Sequence, residues 1–328
     1  MAQRAGIIVV TYNSRAFFPR LKAALEAQTA PYDLIVWDNA SAPAQRPLAE
    51  DVPAGARLVQ SEENLGFAVA NNRAAAMLEC EFIVLLNPDA FPELDWLAEL
   101  IAAAERYPRA AAFGSTQIDA MDETRFDGLG DCYHAAGIPW RGGYGLARGD
   151  AAPREGETFS PCAAAALYRA DAWRAAGGFD ESFFCYCEDV DLGFRLRLAG
   201  HAVMQAPRAI VAHVGGGSSS KRSDFAVFYG TRNRLWTFVK DMPPALFWAL
   251  LPAHAAMTCA FLCVSPFRGT GKATWRGVAA GLKGLPAIWR ARRTLQRQRK
   301  TSLAALARAL AWSPRAMLRR QPVIRDIA

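Results

Sequence analysis

Gly6-Ile7-Ile8-Val9-Val10-Thr11-Tyr12-Asn13-Ser14 is the stretch that decides the fold. Its first five residues form an unbroken, largely β-branched apolar run, the pattern of a strand buried on both faces of a parallel sheet. Its last four are polar, so the strand ends on groups that can bind a ligand. Working outward, helical spacing runs through Phe18, Leu21, Ala24, Leu25 and Gln28, and a second apolar strand, Asp33 to Trp37, stops at Asp38-Asn39. The alternation continues with a short strand near Arg57 to Gln60, a helix near Phe67 to Glu79, a strand at Glu81 to Leu86, a helix near Leu94 to Arg106 and a strand at Ala110 to Phe113. Repeated βα units predict an α/β fold with a mostly parallel sheet. Ligands of such sheets lie beyond the carboxyl ends of the strands. Thr11 to Ser14, Asp38 to Ser41 and Asn87-Pro88-Asp89 each follow a predicted strand, so three distant segments are expected to meet at one crevice.

Past this core the pattern loosens. Gly114 to Glu157 is Gly-rich and irregular, consistent with a long excursion from the core; Thr158 to Tyr168 reads as a strand and Val190 to Ala199 as a helix. Gly215 to Ser220 contains only glycine and serine and predicts a mobile loop. Among 328 residues, 52% are hydrophobic and 21% charged, a composition that excludes a disordered chain. The net charge of +7 conceals a division: residues 266–328 carry 15 Lys/Arg against the single acid Asp326, whereas the rest is acidic. Because that basic tail follows an apolar stretch, anionic lipid headgroups are its expected partner rather than nucleic acid. The seven cysteines have no framework spacing and read as reduced thiols; Cys185-x-Cys187 lacks the second pair a zinc site needs. Met1 to Val10 has no signal-peptide pattern, so a cytosolic catalytic domain is expected.

Candidate chemistry sits at few positions. Asn87-Pro88-Asp89 puts a carboxylate at the crevice mouth, where a hard oxygen ligand could hold Mg²⁺ or Mn²⁺ against a diphosphate; alone, the triplet also suits a turn with Asp89 capping a helix. Glu188-Asp189-Val190-Asp191 places three acids in four positions ahead of a helix. Complementing the helix dipole accounts for one or two of them, less easily for three. His213 ends a predicted strand and suits either a structural role or a metal or phosphate contact, while His134, His201 and His254 read as structural. Gly269-Thr270-Gly271-Lys272 fails as a phosphate loop because Pro266 and Ala273 break the motif, and the sequon Asn39-Ala40-Ser41 falls inside the proposed site.

Taken in order, these residues resemble the family 2 glycosyltransferases, in particular their bacterial rhamnosyltransferase-like branch. The resemblance runs from Ile7 to Lys240 through Val9 to Ser14, Val36 to Ser41, Asn64-Leu65-Gly66-Phe67 to Asn72, Leu85 to Asp89, Gly177-Gly178-Phe179-Asp180-Glu181, Glu188 to Leu192, His213 and Arg232-Asn233-Arg234. It implies a GT-A fold over 1–240 and an inverting, metal-dependent transfer from a nucleoside diphosphate sugar. By the same resemblance Thr11, Tyr12, Asn13 and Asp38 would hold the nucleoside, and Asn64, Gly66, Asn71 and Asn87 would line the nucleotide-sugar crevice. Asn87 to Asp89 is similar to the family's D-x-D, its first acid replaced by Asn, which leaves Asp89 as carboxylate ligand and promotes His213 to second ligand for Mg²⁺ or Mn²⁺. Asp189 matches the catalytic base; Glu188 would orient the base or the acceptor, and Asp180 would help hold the acceptor. The loop after His213, with Lys221 and Arg222, would close over the diphosphate. L-Rhamnose from dTDP-rhamnose is the first donor the resemblance suggests, with galactofuranosyl, glucosyl and mannosyl transfer as alternatives, and a non-catalytic nucleotide-sugar or glycan-binding protein as a different class.

Met242 to Phe267 is uncharged and long enough to cross a membrane. A cytosolic donor and a basic tail place both flanks on one side, so an in-plane or re-entrant segment is expected, on the inner face of the plasma membrane. A buried helical hairpin or a homo-oligomer interface is the alternative. Residues 241–328 therefore read as an apolar and basic helical region, suited to a polyprenyl-linked or polysaccharide acceptor.

Overall fold

β1 (Ala5–Thr11) is buried along its whole length in the computed structural model, which describes residues 3–215 and 223–326. The chain continues through α1 (Phe18–Glu26), β2 (Asp33–Asp38), β3 (Arg57–Gln60), α2 (Gly66–Ala75), β4 (Phe82–Leu86), β5 (Ala90–Pro92), α3 (Trp96–Arg106) and β6 (Ala110–Asp119). Strand side chains alternate between faces. Accordingly Ile7 and Val9 join one apolar cluster with Phe18, Leu21 and Leu100, while Ile8 and Val10 join a second with Ala70, Ala74 and Leu192. Each fully buried side chain of this kind contributes about 1.5–3 kcal/mol, which is why the strand tolerates no polar residue before Thr11.

The second half comprises β7 (Phe126–Gly128), β8 (Asp131–His134), β9 (Ile138–Arg141), β10 (Gly156–Glu157), β11 (Ala165–Arg169), α4 (Ala170–Ala176), α5 (Glu188–Leu198) and β12 (Ala202–His213). The sheet runs β10-β12-β6-β11-β4-β1-β2-β3, with β5 added to β12 and β7 to β6; β8 and β9 form a separate hairpin. β3, β2, β1 and β4 are mutually parallel, and β12 is parallel to β6. β11 lies antiparallel between β4 and β6, shorter than the strand expected at Thr158 to Tyr168. An apolar run reports burial and not direction, so this reversal carries no sequence signal. Nor is 114–157 irregular: it extends β6 to Asp119 and supplies β7 to β10, each only two to four residues long and too short for alternation to register.

The remaining chain is helical: α6 (Asp224–Asp241), α7 (Pro244–Val264), α8 (Gly271–Arg297), α9 (Leu303–Ala309) and α10 (Pro314–Leu318). α8 packs along α6, where the Trp236 indole donates to Gly281 O at 3.0 Å. The last described residues return to the sheet: Arg325 and Glu157 exchange backbone hydrogen bonds of 2.9 and 2.8 Å, and the Trp140 indole donates to Gln321 O. α7 is long and apolar enough to cross a membrane, yet only 17% of its apolar window is buried. It is therefore not a core helix of this chain.

One of the few side chains that α7 buries is His254, whose Nδ1 lies 2.9 Å from Ala136 O and whose ring stacks on Phe238. Burial, assisted by Arg234, lowers its pKa to about 4 despite that hydrogen bond. A histidine depressed on folding leaves the native state short of a proton between the unfolded value, about 6.5, and 4. Stability should fall through this window as pH drops, by ~1.4 kcal/mol per pH unit. Thermal melts at pH 7 and pH 5 are expected to show a smaller pH-dependent loss for His254→Gln than for the parent.

Candidate active site

β5 pairs antiparallel with the end of β12, setting Ala90 opposite His213, and the Val214 N–H donates to Asp89 O at 3.0 Å. This pairing brings a carboxylate and an imidazole from segments far apart in the chain to one spot. His213 is buried; its Nδ1 is 2.7 Å from Asp127 Oδ2, and Asp127 is itself paired with Arg141. Its Nε2 lies 3.4 Å from Asp89 Oδ1 without hydrogen-bond geometry. Burial alone would lower the imidazole pKa, but the hydrogen bond to Asp127 and the negative charge of Asp89 outweigh it and the value is raised. With Nδ1 engaged by Asp127, Nε2 is the nitrogen left to face a cation, the arrangement in which a carboxylate orients a histidine ligand. A buried nitrogen and carboxylate oxygen this close suit Mn²⁺ and admit Mg²⁺. Asp127→Asn should weaken Mn²⁺ binding by about 10–100-fold in calorimetric titration while leaving His213 in place.

Asp189 opens α5 together with Glu188. Its Oδ2 accepts from Ala163 N–H at 3.1 Å and its Oδ1 from Val190 N–H at 2.8 Å, bonds that favour the ionised form. Burial acts the other way, and the net effect raises its pKa. Asp131 sits beside it, pushed up to about 8 by burial first and then by the Asp189 charge. Burial thus favours the protonated form of both acids, and the Asp189 charge adds to the effect on Asp131. Glu188 is raised further by burial and by Asp189, and its Oε2 has no hydrogen-bond partner. Asp131, Cys162 and Asp189 present ligand atoms within 4.8 Å of one another. Arg141 Nη2 donates to Cys162 Sγ at 3.0 Å and burial pushes that thiol up to about 12, so the trio reads as an acid pair steadied by a guanidinium rather than a hard-cation site.

The backbone leading into α5 is strained. Phe184, Tyr186 and Cys187, none of them glycine, have φ of 64°, 70° and 63°. Such conformations persist only where the surroundings enforce them. Asn233 Nδ2 lies 2.9, 2.9 and 2.7 Å from the carbonyls of Phe183, Cys185 and Tyr186, and Arg232 donates to those of Ser182 and Phe183. The Phe184 side packs so closely on Gly66, at φ +80°, that a Cβ there would lie 2.5 Å from the ring.

A cavity of about 750 Å³ is lined by Asn87, Asp89, Glu188, Asp189 and His213 together. Other expected site residues lie elsewhere. Thr11, Asn13 and Asp38 gather at the adjoining ends of β1 and β2: Asn39 N–H donates to Thr11 O, Asn13 N–H to Ser41 Oγ, and Ser41 N–H to Asp38. The Thr11 hydroxyl is buried without a partner, and Tyr12 is exposed. Asn64 accepts from Asn39 and from Gly66 N–H, shaping the turn into α2, whereas Asn71 is buried and bonded to Phe67 O of its own helix. Asp180 is not in the cavity wall. It pairs with Lys240 at 2.6 Å; burial would raise it, but Lys240 and Ser182 outweigh burial and hold it at about 2. Lys240 also pairs with Asp191, which pairs with Arg195 at 2.7 Å, so these charges fasten α5 to α6. The loop of glycine and serine after Gly215, with Lys221 and Arg222, lies outside the described residues.

Asp127, Asp131 and Arg141 complete the site and were not singled out by their sequence. Their signal, two acids four apart in Phe126-Asp127-Gly128-Leu129-Gly130-Asp131, lies inside a stretch without periodicity. Over 232 residues the chain is 30% identical to the N-acetylglucosaminyl-diphospho-decaprenol L-rhamnosyltransferase of Mycobacterium tuberculosis, a match covering 63% of this chain and 75% of that one. Two solved structures share the fold with a TM-score of 0.53. The mannosyltransferase PcManGT from Pyrobaculum calidifontis, in complex with GDP-Man and Mn2+, is 18% identical, with 94% of this chain and 87% of that one covered. TarS 1-349 of S. aureus, in complex with UDP, is 16% identical, with 99% and 94% covered. The family model described as Glycosyl transferase family 2 matches residues 6–173, from the first residues of β1 into α4. The match covers half of the chain, and the protein is a glycosyltransferase that belongs to glycosyl transferase family 2.

Proposed function

We propose that the chain transfers a hexose, with inversion, from a nucleoside diphosphate sugar to an acceptor hydroxyl, and that Asp189 is the base. One observation carries the reading: Asp189 shares a cavity with the cation-suited pair Asp89 and His213. In this reading Asp189 takes the proton of the acceptor hydroxyl as its oxygen attacks the anomeric carbon, and the bond to the diphosphate breaks on the opposite face. Bound at Asp89 and His213, Mg²⁺ or Mn²⁺ would neutralise charge on the departing diphosphate. Asp131, raised to about 8 by burial and then by the Asp189 charge, favours its neutral form beside the base. Glu188 orients the acceptor, and the strand ends at Thr11, Asn13 and Asp38 hold the nucleoside, with Asn87 between nucleoside and cation. The Mycobacterium tuberculosis relative names L-rhamnose as its sugar and the Pyrobaculum calidifontis structure names mannose, so dTDP-rhamnose, GDP-mannose and UDP-hexoses form the first panel. Incubation of each with a lipid-linked acceptor should give one product whose anomeric configuration is opposite to the donor's; retention by NMR would overturn the mechanism.

The acceptor is proposed to be lipid-linked, with the chain docked in-plane on the inner face of the plasma membrane. Support comes from α7, with Trp248 62% exposed and Phe267 just beyond it 91% exposed, next to the basic residues of α8. Phe267→Asp should reduce partition onto anionic vesicles by about tenfold in a sedimentation assay, because apolar burial and headgroup attraction act together. Unchanged partition would place the contact elsewhere.

A further inference from the structure

Arg232-Asn233-Arg234 on α6 divides its work unevenly. Arg232 and Asn233 face the strained loop before α5, but Arg234 contributes nothing to it. Arg234 is 7% exposed; its Nη2 donates to Thr258 Oγ1 at 3.2 Å, its Nη1 has no hydrogen-bond partner, and among the described residues it has no ion pair. A buried guanidinium without a counter-charge is costly to keep unless an anion arrives to pair with it. Arg234 opens onto the cavity that holds Asp189. The same cavity is walled by Phe261 and Val264 at the end of α7 and by Arg268 in the turn that follows. Phe261 lies 4.9 Å from the Arg234 guanidinium, and Phe261 and Val264 are 38% and 43% exposed. The cavity thus pairs a buried cation with an apolar rim that continues onto the exposed face of α7.

We propose that Arg234, with Arg268 at the rim, binds the phosphate or diphosphate of a lipid-linked acceptor, whose hydrocarbon leaves over Phe261 and Val264 toward α7. This rests on the glycosyl-transfer reading above and adds to it the acceptor's anion subsite. The donor also carries a diphosphate, so the test separates the two sources. Farnesyl diphosphate, inorganic diphosphate, and UDP, GDP and dTDP with Mn²⁺ are titrated into the full chain, its Arg234→Gln and Arg234→Lys variants, and Phe261→Ser. Arg234→Gln is expected to weaken farnesyl diphosphate by about tenfold or more and to leave the nucleotides within about threefold. Its melting temperature should be unchanged or higher, since a buried unpaired charge has been removed. Arg234→Lys keeps the charge and most of the binding, and Phe261→Ser weakens farnesyl diphosphate but not inorganic diphosphate. The proposal is overturned if the parent binds no farnesyl diphosphate, if Arg234→Gln binds it as tightly as the parent, if Arg234→Lys loses as much as Arg234→Gln, or if nucleotide binding weakens in equal measure. Failure of the parent to bind UDP, GDP and dTDP alike would instead count against the glycosyl-transfer reading itself.

Discussion

Asp189→Asn should lower turnover by about 10²–10⁴-fold while nucleotide binding stays within a few-fold of the parent, the signature of a lost general base. The substitution is chosen for its shape. Asn keeps a carbonyl oxygen to accept from Ala163 or Val190 N–H, so the entry into α5 survives. It also removes the charge that raises Asp131 and Glu188, so those carboxyls become more acidic and the cavity does not lose its negative potential altogether. Neither can substitute for Asp189. Of these acids, Asp189 is the one whose carboxylate accepts from the Ala163 and Val190 N–H groups, bonds that favour its ionised form, while it faces the cavity. A raised acceptor KM with turnover unchanged would mean that Asp189 binds the acceptor without taking its proton.

Asn233→Ala is expected to destabilise the chain by about 2–4 kcal/mol and to lower turnover as well. Three carbonyls in the strained loop lose their shared donor, and an unsatisfied buried acceptor costs about 1–3 kcal/mol before neighbours relax. Phe184, Tyr186 and Cys187 are then free to leave the left-handed region, which moves the start of α5 and with it Glu188 and Asp189. Chemical denaturation measures the first effect and initial rates at low temperature the second. Full stability with lost activity would mean that Asn233 contacts substrate instead of holding the loop.

How far the site was legible follows from the length scale of each signal. Asp38, Asn87, Asp89 and His213 end apolar strands, and a strand end is visible in a single sequence because hydrophobicity stops there. Asp189 stood out for the same local reason, as one of three acids ahead of a helix. Asp127, Asp131 and Arg141 could not be read this way: strands of three or four residues place them, and their importance lies in which distant groups they meet. Asp180 shows the converse limit. Its motif is conspicuous, but only the packing of α5 on α6 reveals that Lys240 takes its charge. Asn71 likewise turns inward to its own helix, and no spacing rule distinguishes that from a crevice-lining amide. The split between Asn233, which clamps the loop, and Arg234, which does not, depends on side-chain direction at successive helical positions. α7 was legible as an apolar segment, whereas the exposure of its face was not.

Anomalous diffraction from crystals grown with Mn²⁺ and a nucleoside diphosphate tests the central claim most directly, because two buried groups of carboxylates compete for the ion. The prediction is a single strong peak between Asp89 Oδ1 and His213 Nε2, with the Asp189 carboxylate metal-free in the same cavity. A peak on Asp131, Cys162 and Asp189, or none near His213, would contradict it.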